Sequence, residues 1–100
     1  MLYKNKTIRF SQAKNEQLKA ERDVGFEDVL LAIEMGNIFD DMAHPNSEKY
    51  PHQFVLVLLI TIKDYVYIVP YVEDEETLFL KTIIPSRKMN KRYNKGLDND

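Results

Sequence analysis

The chain has 100 residues, 44% hydrophobic and 30% charged, which suits one globular domain and leaves no room for a separate cofactor domain. It contains no cysteine, which excludes a disulfide scaffold, a thiolate metal site and a thiol nucleophile. The net charge of −2 hides an uneven spread: Lys81, Arg87, Lys88, Lys91, Arg92 and Lys95 follow one another with no acidic residue between them, and such a run attracts polyanions.

In chain order, Thr7-Ile8-Arg9-Phe10 reads as a short strand, and Ser11 as the N-cap of a polar helix from Gln12 to about Arg22. Asp23-Val24-Gly25 breaks the pattern. Phe26, Val29, Leu30 and Ile33 then mark one face of a second helix, with Glu27 and Asp28 in its first turn and Gly36-Asn37 as a left-handed stop. Asp40 to Pro51 reads as a loop because of Pro45, Asn46, Ser47 and Pro51. His52–Ile62 is expected to be a strand covered on both faces, turning at Lys63-Asp64 into a second strand, Tyr65–Val72. Glu73-Asp74-Glu75-Glu76 reads as a turn, Thr77–Ile84 as a third strand, and Ser86 as the cap of a helix from Arg87 to about Tyr93. The expected order is β-α-α-β-β-β-α. This is an α+β fold of two layers, an antiparallel β-meander sheet packed against an N-terminal αα-hairpin. Residues 1–94 form the domain in this reading, and 95–100 a disordered tail.

The longest apolar run, Phe54 to Ile60, is far shorter than the ~20 residues of a membrane span. Met1 to Lys6 has no apolar signal core, so a cytoplasmic protein without membrane contact is expected.

Three clusters can carry chemistry. On a helix, Arg87 shares a face with Lys91, and Lys88 with Arg92. Like charges at that spacing repel, and a bound phosphate relieves the repulsion; the plainer reading is a solubilising helix end. Tyr93 beside them can stack on a base or donate a proton. His44 and His52 flank Tyr50 and offer a general acid or base, or are two solvated loop histidines. A metal held by His44 with Asp40 and Asp41 is a weaker alternative, since the spacing matches no zinc motif. The acidic run Glu73–Glu76 fits a solvated hairpin tip better than a paired-carboxylate site, and Tyr65, Tyr67, Tyr71 and Phe79 fit cross-strand packing.

Three segments together resemble a family. Ile8-Arg9-Phe10-Ser11-Gln12-Ala13-Lys14-Asn15 leads through Leu18-Lys19 into Val24-Gly25-Phe26-Glu27-Asp28-Val29. Asp41-Met42-Ala43-His44-Pro45 precedes the first long strand. The end reads Lys81-Thr82-Ile83-Ile84-Pro85-Ser86-Arg87-Lys88, followed by Arg92-Tyr93. The pattern is similar to the BrnT-like toxins of bacterial type II toxin–antitoxin modules, in the wider RelE/ParE-like group, over about residues 7 to 94. Ser11-Gln12, Pro85 and the long acidic tip depart from it.

The resemblance implies a RelE/ParE-like fold and a metal-independent endoribonuclease without cofactor, which cuts RNA and arrests growth. A cognate antitoxin, itself a DNA-binding ribbon-helix-helix or helix-turn-helix protein, would neutralise it, in a possible heterotetramer. By the same resemblance Arg87 and Lys88 meet the phosphate, His44 acts as acid or base, Tyr93 and Arg92 contact base and backbone, and Lys14 binds RNA. Lys81 and Lys91 join the RNA contacts on charge alone. The alternatives are a same-fold toxin acting on a protein such as gyrase, and an inactive module that binds RNA or antitoxin.

Overall fold

The computed structural model describes residues 2–94. Its elements are β1 (Leu2–Tyr3), β2 (Lys6–Phe10), α1 (Gln12–Arg22), α2 (Phe26–Glu34), β3 (Ile38–Ala43), β4 (Gln53–Ile60), β5 (Tyr65–Glu73), β6 (Thr77–Leu80), β7 (Ile84–Pro85) and α3 (Arg87–Tyr93). A 3-10 turn, Thr61–Lys63, closes the β4–β5 hairpin, with Asp64 in the left-handed region at φ 50°.

The chain is an α+β protein, and its helix ends follow from local chemistry. The Ser11 hydroxyl accepts from the Lys14 amide at 3.1 Å and caps α1. Asn15, fully buried, accepts the Phe26 amide at 2.7 Å and donates to Glu27 at 2.9 Å, so α1 holds the start of α2. The Asp28 carboxylate takes the Gly25 amide at 2.9 Å. Gly36, at φ 76°, stops α2, and the Asn37 amide returns to the Ala32 carbonyl at 2.9 Å.

The sheet runs β1-β2-β6-β5-β4-β3, with β7 beside the start of β5. It is mixed rather than antiparallel throughout. β4 to β6 form the expected meander and β3 adds an unexpected antiparallel strand beside β4, but β2 pairs parallel to β6, with Ile8 opposite Leu78 and Phe10 opposite Leu80. The crossover through α1 and α2 makes that parallel pairing possible.

Three expectations need correction. First, the segment read as a loop from Asp40 to Pro51 begins with the last four of the six residues of a strand: β3 pairs with β4 from Ile38 to Ala43, with a register shift at Phe39. Its two aspartates concealed it, because the Asp41 carboxylate is occupied inside the protein. Second, the strand expected over Thr77–Ile84 stops at Leu80 and resumes as Ile84–Pro85. The break lets Ile83 turn into the core, fully buried, while the Arg22 guanidinium donates to its carbonyl at 2.6 Å. Third, Leu2–Tyr3 adds a strand through a two-residue turn with Lys4 and Asn5 at φ 58° and 64°. The tail expected at 95–100 lies outside the described residues.

Strand alternation sorts the side chains into two faces. Ile8, Leu56, Leu58, Ile60, Tyr67, Val69, Tyr71, Leu78 and Leu80 face α1 and α2 and form one core with Leu18, Phe26 and Val29. Burying each large apolar side chain there contributes roughly 1.5–3 kcal/mol before entropic costs. Val57 and Val66 are fully buried on the opposite face, at the end where α3 packs on β5. The rest of that second face is open: Val55, Pro70 and Val72 are half-buried, and Phe79 is 37% exposed. Among the described residues, no helix is long and apolar enough to cross a membrane.

Candidate nucleic-acid interface

α3 is short, and two side chains fix its position. Ser86 caps it, accepting the Met89 amide at 3.2 Å. Asn90, 8% exposed, accepts the Val66 backbone N–H at 3.0 Å, at the point where β5 has no strand partner for it. One buried acceptor thus docks the helix onto the sheet. The same helical face carries Met89 and Tyr93, half-buried, and the Tyr93 ring lies flat on Phe39 of β3, with centroids 4.8 Å apart and planes at 9°.

This docking decides where the charges point. With residues 86, 89, 90 and 93 turned inward, Arg87, Lys88, Lys91 and Arg92 are all exposed on the outer surface. Among the described residues none of them has a carboxylate within 4.0 Å. Lys81, exposed in the segment between β6 and β7, is equally unpaired. The Arg92 guanidinium lies 5.6 Å from the Tyr93 ring centre. Tyr93 therefore has Phe39 against its ring, which limits its use as a stacking surface.

His44 does not join this group. Its amide bonds the Gln53 carbonyl, whereas the Ser86 amide, just before Arg87, bonds the Val66 carbonyl. Gln53 pairs with Val72, and six residues of β5 separate Val72 from Val66, about 20 Å at 3.3 Å per residue. Two side chains cannot bridge that length, so His44 and Arg87 do not serve one phosphate. The His44 Nδ1 accepts the Asn46 amide at 3.0 Å, and its ring packs on Tyr50 at 4.5 Å. These contacts organise the loop after β3. Lys14 is also apart, on α1 in the helical layer covering the other face of the sheet. The sequence-based set thus divides: Arg87, Lys88, Lys91, Arg92 and Tyr93 gather on α3, Lys81 lies about 13 Å along β5 from the start of that helix, and His44 and Lys14 stand apart.

A second polar cluster has no counterpart in the sequence reading. Asp41, on the core face of β3, accepts the hydroxyls of Tyr71 at 2.8 Å and Tyr3 at 3.1 Å and pairs with the Lys4 ammonium at 3.3 Å. Lys4 also donates to the Tyr71 oxygen at 2.9 Å, lies 4.6 Å from the Phe54 ring centre, and approaches Glu73, which Lys6 meets at 3.4 Å. β1 and β3 are opposite edges of the sheet, so the sheet curls and this cluster ties its two edges together. Burial and then the Asp41 charge push the Tyr3 hydroxyl up to about 12; burial and the hydrogen bond to Asp41 raise Tyr71 as well. The only sequence signal was the alternation of Tyr3, Tyr71 and Asp41 on inward positions, which needs the register to be read.

At the acidic tip, Asp74 accepts the amides of Glu76 and Thr77 and the Thr77 hydroxyl, and these donors hold its carboxyl below the usual range. The tip is a hydrogen-bonded turn. Among the described residues no three His, Asp or Glu side chains gather as metal ligands. No family model, curated protein or solved structure matches the chain.

Proposed function

We propose that the protein binds RNA through the outer surface of α3 and acts as the endoribonuclease toxin of a type II toxin–antitoxin module, as its resemblance to the BrnT-like toxins implies. One observation carries the RNA reading. Arg87, Lys88, Lys91 and Arg92 are turned to solvent together, without carboxylate partners among the described residues, by a helix whose inner side is fixed to the sheet. A preorganised group of cations meets phosphates without first breaking ion pairs, and Arg87 can grip one through two parallel N–H bonds.

In this reaction a ribose 2′-hydroxyl attacks the adjacent phosphorus and gives its proton to water, the P–O5′ bond breaks, and the departing 5′ oxygen takes a proton from water, leaving a 2′,3′-cyclic phosphate. Arg87 and Lys88 stabilise the charge that builds on the phosphoryl oxygens. His44 is no longer a candidate acid or base at that phosphate, given its place at the other end of β4. That separation favours a second reading, a module that binds RNA without cutting it.

Inducible expression of the wild type and of Arg87→Ala, with growth and total RNA followed together, separates the readings. Growth arrest with RNA loss in the wild type and neither in Arg87→Ala at equal protein level is the expected result. Arrest with intact RNA moves the target to a protein. No arrest, with RNA binding retained, leaves the non-cutting module.

A further inference from the structure

The open face of the sheet carries cations and an aromatic in a line that continues the α3 surface. Arg9 and Phe79 are register partners in the parallel β2–β6 pair, on the face away from the core. Arg9 is exposed, and Phe79 is 37% exposed beside half-buried Val72, its partner on β5. The Lys81 amide bonds the Pro70 carbonyl at 2.8 Å, two residues along β5 from Val72 and so about 7 Å further on. The Ser86 amide bonds the Val66 carbonyl, another four residues or about 13 Å on, and Arg87 follows. Arg9 and Lys81 have no carboxylate within 4.0 Å among the described residues.

We infer that this line is a track for single-stranded RNA, with Phe79 as a base-stacking platform and Arg9, Lys81 and Arg87 as successive phosphate contacts. The inference rests on the RNA reading above and extends it to two residues, Arg9 and Phe79, to which the resemblance assigns no role. The chemistry is that of sequence-tolerant strand binding, a cationic path beside an exposed aromatic face. A duplex keeps its base faces stacked internally and has none to offer Phe79, so the ligand is single-stranded. The track also has an end. The Thr7 amide bonds the Glu76 carbonyl at 2.9 Å, which places the acidic turn of Asp74, Glu75 and Glu76 just beyond Arg9, where it repels phosphate. The strand therefore runs from Arg9 toward α3 only.

The test is fluorescence anisotropy of a labelled single-stranded RNA oligonucleotide with the full chain, and of an abasic oligonucleotide of equal length. Phe79→Ala is expected to weaken RNA binding about tenfold and to leave abasic binding unchanged, with Phe79→Trp restoring affinity. Arg9→Gln is expected to weaken both ligands alike. Circular dichroism and thermal melting check that each variant folds. If Arg87→Ala weakens RNA binding while Phe79→Ala and Arg9→Gln do not, the track is overturned and the RNA reading stands. If the wild type binds no RNA, both fall. If Phe79→Ala weakens the abasic ligand equally, Phe79 is not a stacking platform.

Discussion

Two groups of cations in this protein carry the same charge and do opposite things. Lys4 and Lys6 sit 22–36% exposed among Asp41, Glu73 and two tyrosine hydroxyls, where every charge has an opposite neighbour. Arg87, Lys88, Lys91 and Arg92 stand on the outside of α3 with no carboxylate at hand among the described residues. The first group spends its charge on holding the sheet edges together. The second leaves its charge available. Residue type does not distinguish the two; the partners do.

That contrast is breakable by mutation. Asp41→Ala removes the acceptor of two tyrosines and the partner of Lys4, and is expected to cost about 3 kcal/mol in urea unfolding. A loss near zero shows that the cluster is not structural. Asn90→Ala leaves the Val66 N–H without its acceptor and is expected to cost about 2 kcal/mol, with faster hydrogen exchange at Val66 before the core strands open. Arg87→Ala with Lys88→Ala is expected to change stability by less than about 0.5 kcal/mol. The same pair should flatten the slope of log affinity against log salt for single-stranded RNA by about 1.4, two phosphates at 0.7 each. A large stability loss instead places these cations in the structural group.

The smallest effect concerns pH. Folding raises the pKa of Tyr3 to about 12 and raises Tyr71 too, so both favour the neutral hydroxyl. Their contribution is complete below the ordinary tyrosine value near 10 and is lost as pH rises through the folded value. Alkaline titration of stability is expected to fall from about pH 10, and Tyr3→Phe should shallow the decline. The same slope in Tyr3→Phe and the wild type removes Tyr3 from the cluster's energetics.

Much of the fold was legible because local chemistry writes it directly. Ser11, Gly36 and Ser86 bound their helices where the sequence placed them, because a hydroxyl cap and a left-handed glycine act within a few residues. β3 was not legible, since Asp40 and Asp41 look like loop residues until Tyr71 and Tyr3 are known to bond the second of them. The break at Lys81–Ile83 was hidden for a similar reason, the distant Arg22 guanidinium taking up the Ile83 carbonyl. Of the candidate site, the α3 cations were legible as a run of charge, while Phe79 read as ordinary cross-strand packing.

The sequence by itself determined the class of the fold, the two-helix layer, the meander and the basic helix, because apolar period, caps and charge order are properties of neighbouring residues. Tertiary structure alone decided that β2 joins β6 in parallel, that His44 and Arg87 lie at opposite ends of the sheet, and that Lys4 is neutralised while Arg87 is not. Those outcomes depend on strand register and on which distant side chains meet. A shift of one residue in register would reverse every face.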